Sequence, residues 1–257
     1  MKIDLNCDMG ESFGAWSMGD DAGVMPWITS ANIACGFHAG DFSTMQRTVE
    51  LAKKYDVAIG AHVSLPDVQG FGRREMRVTP NEAHAITLYQ IGALHAFARA
   101  CGMRVAHVKP HGALYNVAAK DRALADAIAR AVCEFDAELI LVGLADSEST
   151  RAGEALGLRV AHEAFADRRY EADGSLTPRR EADAVIHDVD AAVKQAVKIV
   201  TGGKVDVRMG NERVIRADTI CVHGDRGDAA VFARRLRSAL EAAGVIVSAT
   251  RDGASPS

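Results

Sequence analysis

Ile3-Asp4-Leu5-Asn6-Cys7-Asp8 alternates apolar and polar side chains without a break. Residues two apart on a strand share a face, so Ile3 and Leu5 lie on one side and Asp4, Asn6 and Asp8 on the other. The same parity recurs downstream. Ala106 and Val108 oppose His107, Lys109 and His111; Val57, Ile59 and Ala61 oppose His62 and Ser64; Ile220 and Val222 oppose His223 and Asp225. These segments belong to a series of short apolar or β-branched runs: Ile3–Asn6, Ile28–Ala34, Val57–His62, Arg104–Lys109, Glu138–Val142, Leu158–Glu163 and Thr219–His223. Helix-period stretches separate them, which predicts an α/β protein with a parallel sheet. A length of 257 residues suits a closed β/α barrel. Outer strand faces of such a barrel pack on helices and must be apolar. The polar set therefore points inward and crowds toward the C-terminal strand ends, where these barrels build their sites.

Thr79-Pro80-Asn81-Glu82 reads as a capping box with proline at the first helical position, opening a helix that runs to Cys101. Further helices are expected over Asp121–Phe135, Ser147–Leu156, Asp190–Val200 and Asp228–Ala243. One excursion interrupts the rhythm: Lys204–Arg208 and Arg213–Ala217 flank Met209-Gly210-Asn211-Glu212, which predicts an extra β-hairpin closed by a Gly-Asn turn. Two long polar segments, Pro66–Val78 and Asp167–Asp183, suit a lid or a partner surface. The expectation is one barrel domain over residues 1–250 and a flexible polar tail over 251–257.

Composition excludes several classes. The chain is 48% hydrophobic and 25% charged with a net charge of -4, the balance of an ordinary soluble protein with no basic stripe for nucleic acid. No run approaches the roughly 18 apolar residues of a membrane helix. The opening residues lack the apolar core of a secretory signal. Five widely spaced cysteines without a C-x-x-C pair argue against a disulfide framework or a structural zinc site, and favour a reducing cytoplasm.

The inward set comprises Asp4, Asn6, Asp8, His38, His62, Lys109, His111, His223 and Asp225. Burying so many ionisable groups without partners or a ligand would cost roughly several kcal/mol per charge, so they are read together as a site. Asp4 and His107 sit deepest and are expected to pair as core residues. Lys109-Pro110-His111 places a cation and an imidazole at the rim, with proline fixing the backbone. Asp41 either joins the site or caps the next helix. Only one of His162 and Glu163 can face inward. His84, His95 and His187 fall in or beside helical patterns and are read as structural. Cys7 and Cys35 fall on the apolar parity, which argues against a nucleophilic thiol.

Converging Asp, Asn and His side chains can bind a divalent metal and activate water, or transfer protons without one. No H-E-x-x-H and no tight His-x-His pair occurs and the potential ligands are dispersed in sequence, which counts against a metal without excluding one. A rim lysine suits a carboxylate or phosphoryl group. Thr201-Gly202-Gly203-Lys204 lacks the remaining elements of a phosphate loop, and no G-x-G-x-x-G follows a strand. If ATP takes part, another chain binds it.

Several long motifs resemble the LamB/YcsF family: Ile3–Gly14 (IDLNCDMGESFG), Asn32–Asp41 (NIACGFHAGD), Gly60-Ala61-His62 with Phe71-Gly72-Arg73-Arg74, Val108–Tyr115 (VKPHGALY), Glu163–Tyr170 (EAFADRRY) and Cys221–Asp225 (CVHGD). The resemblance implies a seven-stranded barrel similar to the glycoside hydrolase/deacetylase type. It also implies ATP-dependent opening of 5-oxoproline (pyroglutamate) to glutamate by a 5-oxoprolinase, in a complex with subunits B and C, which would bind or help bind the ATP. Combined with the parity, it gives catalytic candidates Asp8, His38, His62, Lys109, His111 and His223. One of Asp8, His38 and His62 is expected to act as general base, and His111 or His223 as acid. Lys109 or an arginine among Arg73, Arg74, Arg168 and Arg169 would hold carboxylate or phosphoryl oxygens. Asn6, Asn32, Glu163 and Asp225 complete the substrate-binding candidates. The competing expectations are a stand-alone metal-dependent deacetylase or amidohydrolase on the same barrel, and a non-catalytic substrate-binding subunit.

Overall fold

The computed structural model describes residues 1–224 and 227–250; Asp225 and the tail 251–257 lie outside the described residues. The chain runs through β1 (Lys2–Met9), α1 (Asp21–Val24), a single 3-10 turn at Met25–Trp27, β2 (Ser30–Ala34), α2 (Phe42–Lys54), β3 (Ala58–Val63), α3 (Pro80–Ala100) and β4 (Val105–Pro110). It continues through α4 (Gly112–Ala118), α5 (Arg122–Phe135), β5 (Ile140–Leu144), α6 (Glu148–Ala155), β6 (Arg159–Phe165) and α7 (Val189–Gly202). The last elements are β7 (Lys204–Asp206), β8 (Glu212–Val214), β9 (Thr219–Val222), α8 (Ala229–Ala242) and β10 (Ile246–Val247).

Seven parallel strands close the barrel in the order β1-β2-β3-β4-β5-β6-β9, with β9 returning to β1. Closure is visible in the register: Asn6 stands opposite Ser30 on one side and Cys221 on the other, while Glu163 stands opposite Thr219. The parity holds around the ring. Leu5, Ile33, Ile59, Val108, Leu141 and Ile220 are buried in one apolar layer with the helical residues Val49, Ile91, Ile128, Ile199, Phe232 and Leu236. Burying each such side chain is worth about 1.5–3 kcal/mol, so this layer stabilises the closed ring.

Helix boundaries follow local chemistry. The capping box forms, with Glu82 N donating to Thr79 Oγ1 at 3.3 Å and Thr79 N donating to Glu82 Oε2 at 2.7 Å. Asp41 caps α2, accepting from Thr44 N at 2.8 Å, and its other oxygen accepts from Gly14 N at 2.7 Å. Its role is thus to tie the segment after β1 to α2. The hairpin forms between β7 and β8, but Asp206 pairs with Glu212, so residues 207–211 make a five-residue loop in place of the expected two-residue Gly-Asn turn. The added strand β10 pairs with β1 at Lys2 and Ile3, outside the closed ring.

Both long polar segments are tied down. In the first, Asp67 accepts from Gly70 N at 2.9 Å and from the guanidinium of Arg74. Gly72, at φ +63°, approaches Ser64, His38 and His111 so closely that a side chain has no room. In the second, the buried Tyr170 accepts from Phe165 N at 2.7 Å, and Arg168 donates to the Thr177 carbonyl at 2.6 Å and the Ala184 carbonyl at 3.4 Å.

Gly60 stands opposite His107 on the neighbouring strand β4, where an added Cβ would overlap the imidazole. Gly60→Ala is therefore expected to lower unfolding stability by at least about 2 kcal/mol, through overpacking that a buried ring cannot relieve. Urea unfolding of the variant against the parent measures this; an unchanged midpoint would show that the interior is looser than described.

Candidate active site

Apart from an apolar patch of Ile140, Val142 and Ala161 from β5 and β6, the barrel interior is a stack of polar side chains. At its base, Asp4 accepts from Thr29 Oγ1 at 2.6 Å, Ser30 Oγ at 2.7 Å and Thr219 Oγ1 at 2.5 Å. Burial raises the Asp4 pKa, and these hydroxyls work against that rise. The expected Asp4–His107 pair does not form: His107 Nε2 lies 2.8 Å from Asn32 Oδ1, one layer higher. Asn32 in turn donates to Asn6 Oδ1 at 2.7 Å and Asp8 Oδ1 at 2.9 Å.

Lys109 occupies the centre of the next layer. Its ammonium lies 2.8 Å from Glu163 Oε1, 3.0 Å from Asp8 Oδ1, 3.1 Å from Asn6 Oδ1 and 3.3 Å from Cys221 Sγ. Burial works against this charge, but Asp8, Cys221 and Glu163 together hold its pKa well above the ordinary lysine value. Burial likewise pushes Asp8 up, and the charges of His62 and Lys109 outweigh it, leaving a carboxylate well below its ordinary value. Glu163 is the inward member of its pair; His162 turns outward to Glu154 at 3.3 Å.

Above Lys109 lies an imidazole cluster. His62 Nδ1 is 3.0 Å from the Lys109 carbonyl, and His111 Nε2 is 2.9 Å from the Phe71 carbonyl. A carbonyl only accepts, so both ring nitrogens carry protons. The remaining nitrogens, His62 Nε2 and His111 Nδ1, face each other at 3.0 Å. With neutral rings these would be two opposed lone pairs, so a positive charge must sit on or between them. Asp8 Oδ2 stands 3.3 Å from His62 Nε2 and supplies the balancing charge. His38 stacks on His111 with centroids 3.9 Å apart, is 1% exposed, and makes no hydrogen bond with either nitrogen.

Across the mouth, His223 Nδ1 lies 2.8 Å from Asp167 Oδ1, and Arg179 Nη2 lies 2.8 Å from His223 Nε2. Arginine only donates, so His223 holds its proton on Nδ1 and presents Nε2 as an acceptor. A cavity of about 890 Å³ opens between these two groups.

Of the sequence candidates, Asp8, His62, Lys109, His111, His223, Arg73 and Arg168 line this cavity. His38 lies behind His111. Asn6, Asn32 and Glu163 lie beneath it, where they bond Lys109, Asp8 and one another rather than a ligand in the cavity. Arg74 is spent on Asp67 with its side chain 64% exposed, and Arg169 is exposed outside the lining. Asp225 lies outside the described residues. Asp167, Arg179, Glu11 and Tyr115 were not singled out by the sequence, yet the structure brings them to the site. The Asp167–His223 pair spans 56 residues and has no local pattern to reveal it. The glycines at 202 and 203 end α7, and a helix C-terminus carries the partial charge that repels phosphate. That segment does not fit a nucleotide.

A closed seven-stranded β/α barrel gathers a carboxylate, an ammonium and paired imidazoles, the groups that acid–base chemistry uses, at its C-terminal mouth. The chain belongs to the LamB/YcsF family, whose model matches residues 3–255. It is 54% identical to the A subunit of 5-oxoprolinase from Bacillus subtilis strain 168 over 96% of both chains. Identity is 58% to the A subunit of 5-oxoprolinase from Methylococcus capsulatus, over 96% of this chain and 95% of that one. The crystal structure of the lactam utilization protein from Thermus thermophilus superposes with a TM-score of 0.91 at 48% identity, covering 97% of this chain and 100% of that one.

Burial, then the charge of Lys109, pushes His107 down to about 3; burial and neighbouring imidazoles hold His38 and His111 well below the usual value. These folded-state values lie below those of the unfolded chain, so the unfolded chain binds more protons. Stability is then fully present above about pH 6.5 and is lost as pH falls below it. Melting temperatures are expected to stay level from pH 7.5 to about pH 6.5 and to drop steadily from there to pH 5, with a shallower drop in His107→Gln. Equal slopes in parent and variant would count against a neutral buried His107.

Proposed function

We propose that this chain is the ring-opening subunit of an ATP-consuming 5-oxoprolinase, which converts 5-oxoproline to glutamate. The reading is carried by full-length identity of 54–58% to proteins named as the A subunit of 5-oxoprolinase. The cavity geometry supports it. A five-membered lactam is a poor electrophile, and coupling to ATP makes its carbon attackable. Partner subunits B and C bind the ATP and supply the activation, since the glycine-rich segment of this chain that most resembles a phosphate loop sits at the wrong end of a helix.

The chain's own residues then have distinct tasks. Arg73, Arg179 and Arg180, all lining the cavity, hold the substrate carboxylate and the oxygens of the activating group. Asp8, kept ionised by His62 and Lys109, takes a proton from water as it attacks the lactam carbon. The same carboxyl returns that proton to the lactam nitrogen as the carbon–nitrogen bond breaks, and a second water then releases the activating phosphoryl group from the opened γ-carboxyl, giving glutamate and inorganic phosphate. His223, oriented by Asp167, accepts a hydrogen bond from the bound molecule once Arg179 turns to the substrate.

The test is glutamate release from 5-oxoproline by this chain alone and with candidate partner subunits, each with and without ATP. Turnover is expected only in the complete, ATP-supplied mixture. Asp8→Asn is expected to lower kcat by at least about a hundredfold while the complex still assembles. ATP-independent release by the isolated chain would instead establish a stand-alone amidohydrolase.

A further inference from the structure

Glu11, His38, His62 and His111 are all buried, and one donor atom from each lies within 4.8 Å of every other. Two main-chain carbonyls accept from the far nitrogens of His62 and His111 and so keep the protons there, which leaves bare lone pairs at His62 Nε2 and His111 Nδ1, 3.0 Å apart. This backing of each imidazole by a carbonyl is the arrangement that orients metal-bound histidines. Two donors on one tetrahedral ion, at bond lengths of about 2.0–2.1 Å, stand about 3.3 Å apart. A shared proton would satisfy the His62–His111 contact alone. It leaves His38 buried with neither nitrogen bonded, 3.5 Å from Glu11 Oε1.

We propose that these four side chains form a divalent-metal site, taking one first-row cation such as Zn²⁺ with three imidazoles and one carboxylate as donors. As it stands His38 lies parallel to His111, so the two rings do not aim at one point. His38 turns about its side-chain torsions to complete the set, and no hydrogen bond at its nitrogens opposes the turn. A nearby group, Asp8, Cys221 and His223, has comparable spacing but is a different case. The ammonium of Lys109 already sits against Asp8 and Cys221 and supplies the positive charge there. The three-imidazole, one-carboxylate donor set favours zinc, cobalt or nickel over magnesium, which selects oxygen ligands.

The site holds or fails independently of the substrate reading, because its test needs no turnover. The chelator-treated full chain is reloaded with Zn²⁺ and assayed by elemental analysis and calorimetry; Co²⁺ serves as a spectroscopic probe. The expected result is one tightly held ion per chain, visible d–d absorption with Co²⁺, and no displacement by Mg²⁺. His38→Ala and Glu11→Gln are each expected to weaken binding at least about tenfold while keeping the parent's far-ultraviolet circular dichroism. His84→Ala, at a histidine paired with Glu134 on the surface, is expected to leave it unchanged. Absence of a stoichiometric ion, or equal affinity in the parent, His38→Ala and Glu11→Gln, would overturn the proposal.

Discussion

The ammonium of Lys109, held between Asp8 and Glu163 inside the barrel, is the interaction on which the rest of the site depends. Two carboxylates in a closed apolar ring would each lose several kcal/mol of hydration, and removing their cation leaves that loss uncompensated, at about 3–5 kcal/mol for a buried pair. The surrounding residues extend the same solution. Asn6 and Asn32 donate to the same Glu163 and Asp8 oxygens that face Lys109, Asn32 also donates to the Asn6 side-chain carbonyl, and His107 closes the network from below. The interior is polar and, apart from Glu163 Oε2, its carboxylate and amide oxygens in this layer are bonded. The apolar work of holding the fold passes to the outer strand faces and the helices.

That division explains why short stretches of backbone govern the chemistry. The carbonyl of Lys109 fixes the His62 tautomer from the neighbouring strand, and the carbonyl of Phe71 fixes His111 from the first long loop. The loop reaches this position because Gly72 adopts a positive φ where a side chain would strike Ser64, His38 and His111. A residue that touches no ligand therefore decides which imidazole nitrogen is bare.

The barrel and its inward polar face were legible in the sequence because period-2 alternation is a local property, repeated in β1, β3, β4 and β9. The site was legible only as a set. Which carboxylate meets which base depends on strand register across the ring, as with Glu163 turning in and His162 turning out. Asp4 and His107 share an interior yet sit in different layers, a stagger that parity does not encode. Arg74 and Arg73 are chain neighbours on a loop, where no period assigns direction; one clamps Asp67 and the other lines the cavity. The strand β10 escaped notice because two residues carry no pattern, and the hairpin loop proved longer because Asp206 and Glu212 pair before the Gly-Asn step is reached.

Asp8 joins the two halves of the mouth. One of its oxygens meets Lys109 and the other faces His62, so the permanent ammonium below biases whatever cation the imidazoles above hold. Without the Lys109 ammonium, the buried Asp8 carboxyl would be drawn toward its protonated form, filling the acceptor that the proposed ring opening assigns to water. With Lys109 in place Glu163 is paired from beneath, and Asp8 keeps an oxygen directed at the cavity. The lysine thus needs no contact with substrate to matter: by answering Glu163 it leaves Asp8 as the carboxylate with charge to share at the mouth.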